Sequence, residues 1–113
     1  MKIQTKEQNG IVIISLEGAM LGSGEALPLN EALHSMLDSG LNRAVIDLSG
    51  VTFINSSGLG MLIKGMTTLR DAGGDLKISG ANEKVLNVFQ ITKLDSVLDQ
   101  YPNVDDALSA LSA

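Results

Sequence analysis

The stretch Asp47–Leu62, DLSGVTFINSSGLGML, carries two different periodicities on either side of a serine pair. Upstream, Ala44-Val45-Ile46 and Leu48 form the apolar, β-branched run of a central strand, while downstream Leu59, Leu62, Ile63, Met66 and Leu69 recur at helical spacing. Ser56 and Ser57 therefore stand where a strand gives way to a helix. The unpaired N–H groups of a first helical turn, together with the helix dipole, favour a negative group at that place. A serine there is either a helix cap or a hydroxyl that acquires a charge, a cap or a switch.

Working toward the N-terminus, Leu29, Leu33, Met36 and Leu37 make the stripe of a first helix, with Pro28 in its first turn or just before it and Ser39-Gly40 at its end. A loop at Gly18–Gly24 precedes that helix. Ile11–Leu16 reads as a buried strand, and Ile3–Glu7 alternates as its antiparallel partner across the hairpin turn Gln8-Asn9-Gly10. The central strand spans Arg43 to Leu48. Toward the C-terminus, Ala72-Gly73-Gly74 stops the second helix and Leu76 and Ile78 start a short fourth strand. Asn82 or its neighbour caps a third helix bearing Val85, Leu86, Val88 and Phe89; Val97-Leu98 reads as an edge strand, and Asn103 begins a last helix with Val104, Leu108 and Leu111. Strands alternating with helices predict an α/β fold, a mixed sheet of four to five strands with about four helices, its first two strands an antiparallel hairpin. Ligands of such folds gather at the carboxyl ends of the strands, where the Ser56 turn lies.

The 113 residues fit a single domain, 1–113, without repeats, linkers or low-complexity tracts. The apolar share is 44% and the charged share 19%, with aromatics at only 3%, so the core is aliphatic and methionine-filled. A net charge of −5 with scattered cations offers no phosphate-binding patch, and few rings are present to stack on bases, which argues against a nucleic-acid partner. Zero cysteines exclude disulfides and thiolate metal sites. The N-terminus MKIQTKEQNG reads as a strand rather than a signal peptide, and no apolar stretch approaches the roughly 20 residues that span a bilayer, so a cytoplasmic protein without membrane insertion is expected.

Enzyme motifs fail in turn. Gly58-Leu59-Gly60 starts like a dinucleotide fingerprint, but Ile63 occupies the place of its third glycine. Neither serine has the flanking glycines of a nucleophile elbow, and there is no phosphate-binding Walker loop. His34, the single histidine, has no second His or Cys to share a metal and reads as structural or solvent-facing. Asp47 with Ser49 invites an acid–base reading, yet a carboxylate bonding the turn after its strand explains it better. Asp105-Asp106 suit the first turn of the last helix. No catalytic constellation, cofactor or metal is expected.

The order of elements and the segment VIDLSGVTFINSSGLGML resemble the STAS domain, most closely the stand-alone bacterial anti-sigma factor antagonists. The likeness runs over nearly the whole chain, and its specific part is the match at Asp47, Leu48, Val51, Phe53, Ile54, Ser56, Ser57, Gly58, Leu59, Gly60 and Leu62. In that family the serine after an acidic residue is phosphorylated by an anti-sigma factor that is itself a kinase; the resemblance puts this role on Ser56, with Ser57 at the adjacent Ser/Thr position. It implies binding of an anti-sigma factor of kinase-type ATPase fold, release of that partner on phosphorylation, and reversal by a metal-dependent phosphatase. An alternative within the family is an adaptor subunit docking on a transporter or signalling kinase without a switch. Two departures stand out: the usual acidic residue is Asn55, and Gly18 is followed by Ala19-Met20-Leu21 where family members often carry Asp. The expected partner surface comprises Asn55, Ser56, Ser57 and Gly58, the face of the second helix at Gly60, Lys64 and Thr67, and the first loop. There Met20 and Leu21 either offer an apolar contact or are tucked into the core. Gly58 and Gly60 either let a partner backbone approach or serve packing of helix on strand. The chain is expected to be a monomer or weak dimer.

Overall fold

The alternation at Ile3–Glu7 and the apolar run at Ile11–Leu16 become an antiparallel hairpin in the computed structural model, which describes residues 2–22 and 26–112. β1 (Lys2–Gln8) and β2 (Ile11–Met20) meet through Asn9 and Gly10, both at positive φ (54° and 80°), as a two-residue turn with the twist of a hairpin requires. The chain continues through α1 (Ala26–Asp38), β3 (Arg43–Ile54), α2 (Ser56–Asp71), β4 (Asp75–Ser79), α3 (Glu83–Ile91), β5 (Gln100–Tyr101) and α4 (Val104–Ser112). The five strands lie in the order β1-β2-β3-β4-β5, and every pairing after the hairpin is parallel. The expected mixed sheet with an antiparallel hairpin at its start is present, and Pro28 sits in the first turn of α1.

β3 organises both layers. Ala44, Ile46 and Leu48 face a core shared with Leu29 and Leu33 of α1, Leu62 and Leu69 of α2, and Val85 and Phe89 of α3. Val45 points the other way and, with Ile11 and Ile13, meets Ala107, Leu108 and Leu111 of α4. Arg43 Nη1 donates to the carbonyl of Leu111 at 2.8 Å, fixing α4 to the start of β3. At the first turn of α4, Asn103 Oδ1 accepts the N–H of Asp106 (2.8 Å), and Asp105 and Asp106 occupy the turn as expected.

Two expectations shift. β3 runs on past Leu48 to Ile54 because β2 also extends and the pair absorbs two register shifts: Ser15↔Asp47 is succeeded by Glu17↔Gly50, and Gly18↔Val51 by Ala19↔Phe53. Each shift sets an extra β3 residue against β2, and such bulges break the in–out alternation by which a strand is recognised. Gly18, Ala19 and Met20 therefore belong to β2 instead of the predicted loop, of which Ser23 and Gly24 lie outside the described residues. Val97-Leu98 is not an edge strand. Both N–H groups donate to the carbonyl of Leu94 (3.1 and 3.0 Å), Leu98 fills the core, and the edge strand forms at Gln100–Tyr101 beside Ile78 and Ser79. A two-residue apolar pair carries no period, so turn and strand look alike in the sequence.

Two asparagines fasten helices to strands. Asn82 caps α3 by accepting the N–H of Val85 at 2.9 Å, while its Nδ2 donates to the carbonyl of Val51 at 3.1 Å, in the part of β3 that outruns β4. Asn55 repeats the arrangement at the start of α2.

A charged cluster holds the other end of the sheet. Arg70 Nε meets Asp75 Oδ1 at 2.8 Å, and Lys77 Nζ meets Asp75 Oδ2 at 3.1 Å and the Asp99 carboxylate. Burial alone would raise the Asp75 carboxyl, but Arg70, the Leu76 N–H and Lys77 outweigh it and hold it below its ordinary value. Burial would likewise lower Lys77, yet Asp99 and Asp75 hold it above its ordinary value. Asp75 thus contributes stability that is present above about pH 3.9 and lost as pH falls through its lowered value. Lys77 contributes stability that is present below about pH 10.4 and lost as pH rises through its raised value. Replacing Lys77 with Met should cost about 1 kcal/mol at pH 7, a fall of roughly 4 °C in melting temperature. Thermal melts across pH should show the gap between native and variant closing in strong acid, where the carboxylates protonate, and in strong base, where Lys77 loses its charge.

Candidate functional site

At the end of β3, Asn55 adopts extended backbone angles (φ −105°, ψ −177°) and caps α2. Its Oδ1 accepts the N–H of Gly58 at 2.8 Å, and its carbonyl accepts the N–H of Leu59 at 2.9 Å. Such a cap satisfies one of the four N–H groups that a helix start leaves unpaired, and Asn is among the residues best suited to it. Ser56 is therefore not the cap. It is the first residue of α2, and it and Ser57 are exposed.

The chain leaving β2 lies against this turn. The N–H of Asn55 donates to the carbonyl of Met20 (3.3 Å), and Asn55 Nδ2 donates to the carbonyl of Leu21 (3.2 Å). A Cβ on Gly58 would stand 2.2 Å from the Met20 oxygen, and one on Gly22 would stand 2.5 Å from Cβ of Ser57, so both glycines are there for close approach within the chain. Gly60 differs: a Cβ there would meet nothing within 4 Å. Of the two glycines weighed together in the sequence, Gly58 is committed to packing α2 on β2 and its N–H to the cap, while Gly60 is open to solvent.

The remaining expected surface residues divide. Met20 is fully buried in the main core and offers no side chain to a partner, because the extension of β2 carries it inward beside Ile54. Leu21, the next residue, is 45% exposed. Lys64 and Thr67 are exposed on α2, with the Thr67 hydroxyl donating to the Ile63 carbonyl at 3.0 Å. Phe53 is 44% exposed two residues before Asn55, on the face opposite its core neighbour Ile54, a surface position missed in the sequence because an apolar residue in a strand carries no sign of whether its face is covered. Gly22 was equally invisible as a packing residue, since a loop glycine carries no signal of what crosses it.

The first turn of α2 contains no acidic side chain, whereas α3 has Glu83 and α4 has Asp105 and Asp106 in theirs. The positive end of the α2 dipole is thus met by the neutral amide of Asn55 alone, beside two free-standing hydroxyl-bearing residues. Elsewhere, His34 is exposed on α1, and Asp47 Oδ1 accepts the Ser49 N–H (3.0 Å) inside the first bulge, a local backbone role. Among the described residues no group of three or more His, Asp or Glu side chains could hold a metal ion, and no helix is long and apolar enough to cross a membrane.

Comparison with known proteins places this turn in context. BtrV of Bordetella bronchiseptica, named as a candidate anti-sigma factor antagonist, is 30% identical over 97 residues that cover 86% of this chain and 83% of BtrV. The crystal structure of an anti-sigma factor antagonist from Mycobacterium paratuberculosis superposes with a TM-score of 0.81 at 25% identity, covering 99% of this chain and 94% of that one. The Bacillus cell fate determinant SpoIIAA in its phosphorylated form superposes with a TM-score of 0.72 at 17% identity, covering 96% and 98% of the two chains, a likeness of fold. The STAS domain model matches residues 2–107, from β1 into α4, and the chain belongs to the STAS domain family.

Proposed function

We propose that this chain is an anti-sigma factor antagonist whose contact with an anti-sigma factor/serine kinase is ended by phosphorylation of Ser56. The supporting observation is that Ser56 stands exposed at the first position of α2 while Asn55 has taken over the capping. The hydroxyl can change chemistry without unmaking the helix. The surface so used comprises Asn55, Ser56 and Ser57, the α2 positions Gly60, Lys64 and Thr67, and Leu21, with Phe53 added. Gly58 shapes it from beneath. The relatives that carry the name of anti-sigma factor antagonist, and a protein of this fold in a phosphorylated form, support the same reading.

The energetics favour release over unfolding. A phosphate adds roughly −1.5 to −2 charges beside the α2 N-terminus, where interaction with the dipole contributes about 0.3 to 1 kcal/mol in favour. In a complex the same group would be stripped of water against a protein surface, at a cost of several kcal/mol unless cations meet it. A loss of about 3 to 4 kcal/mol weakens binding a few hundredfold. Unmodified, the chain would hold the anti-sigma factor and free a sigma factor; modified, it would let go, and a metal-dependent phosphatase would restore the cycle.

Incubation with an anti-sigma factor/serine kinase encoded in the same genome neighbourhood, ATP and mass spectrometry should place one phosphate on Ser56. Ser56→Ala should keep binding and Ser56→Asp should lose it in calorimetry; equal binding by all forms would instead mark a STAS adaptor without a switch. The two glycines give a second test. Gly58→Ala should destabilise the fold by about 2 to 3 kcal/mol through collision with the Met20 carbonyl, read as a fall in denaturation midpoint. Gly60→Ala should stabilise it by about 0.5 to 1 kcal/mol and yet weaken partner binding, since a methyl there meets only the partner.

A further inference from the structure

We infer that Asn55 is a positioning residue for the partner surface: its amide locks Leu21, the residue that follows β2, to the first turn of α2, so that Leu21 and Ser56 are presented in one fixed arrangement that an acidic residue at this position could not hold. The inference rests on the proposed function for its partner and on this chain's geometry for the lock itself.

The orientation of the amide is set by its neighbours. The N–H of Gly58 at 2.8 Å demands an oxygen on that side, which leaves the nitrogen facing the carbonyl of Leu21 at 3.2 Å. Cap strength does not select this residue, because Asn, Asp and Ser are about equal as N-caps. An aspartate would keep the bond to Gly58 but set a carboxylate oxygen against the Leu21 carbonyl, two acceptors with no proton between them. A serine would keep the cap, but its donor and acceptor share one oxygen, which cannot stand at the cap and also where the amide nitrogen stands beside the Leu21 carbonyl. Only the amide offers an acceptor and a donor on one rigid plane. The same use of both ends at Asn82, between α3 and β3, shows that this fold employs the device where a helix start must be fixed to a strand end. Two backbone features deepen the lock: the Asn55 N–H to Met20 bond, and the seating of Gly22 over Ser57. The residue it secures, Leu21, is the exposed apolar side chain immediately before that glycine. Preformed surfaces bind more tightly because less ordering is left for the encounter.

The test compares native chain, Asn55→Asp and Asn55→Ser. Hydrogen–deuterium exchange of the segment spanning Leu21 and Gly22 should quicken about tenfold in both variants, while melting temperatures stay within about 3 °C because both keep a cap. Affinity for the anti-sigma factor/serine kinase used in the phosphorylation experiment should fall about tenfold in Asn55→Ser, which adds no charge. Unchanged exchange overturns the inference, as does quickening in Asn55→Asp alone, which would be charge repulsion, or a melting collapse with exchange raised throughout, which would make Asn55 a purely structural cap. A loosened segment with undiminished affinity overturns its role in the partner surface. None of these outcomes is the one that sinks the phosphorylation reading, which is binding indifferent to Ser56→Asp.

Discussion

Everything in this fold is arranged around a strand whose opening stretch has no wet face. Ala44, Val45 and Ile46 alternate across the sheet and all are fully buried, so layers are required on both sides: α1, α2 and α3 on one and α4 on the other. Burial of Val45 and Ile46 contributes roughly 1.5 to 3 kcal/mol apiece, and the bond from Arg43 to Leu111 keeps the thinner layer in place. A strand immobilised in this way delivers the residues at its carboxyl end to a fixed position. Those residues are Asn55 and Ser56.

The consequence for function is a division of labour between adjacent residues. Asn55 satisfies the helix start and Gly58 admits the Met20 carbonyl, so the structural demands of the turn are met without Ser56. Ser56 itself stands exposed. The absence of an acidic side chain from the first turn of α2 makes this N-terminus, unlike those of α3 and α4, one whose dipole still has room for an added negative group. An exposed leucine and an exposed phenylalanine flank the turn, an apolar surface beside the two exposed serines.

Elements with a clear period were legible in the sequence: the hairpin with its Asn9-Gly10 turn, the stripes of α1 and α2, and the caps at Asn82 and Asn103. The STAS-like segment located the turn itself. The features that depend on a second strand could not be read. The bulges that carry β3 to Ile54 are set by its register against β2, and the first of them turns Val51 into the core of Ile46 and Leu48 instead of the face of Val45. The edge strand moved from Val97-Leu98 to Gln100–Tyr101 because the carbonyl of Leu94 captures both earlier N–H groups. Gly58 and Gly60, alike in the motif, separate only when the Met20 oxygen is seen above one and nothing above the other.

The paired asparagines also bear on cooperativity. A helix end ordinarily frays by itself, independent of the sheet beside it. At Asn55 and Asn82 a single side chain is engaged at once by a helix N–H and by a carbonyl of the chain alongside, so a first turn cannot unwind without also surrendering the strand end it holds. The chain leaving β2, the end of β3 and the starts of α2 and α3 are thereby tied to one another, and any group added at Ser56 would stand on a rim that resists piecemeal melting.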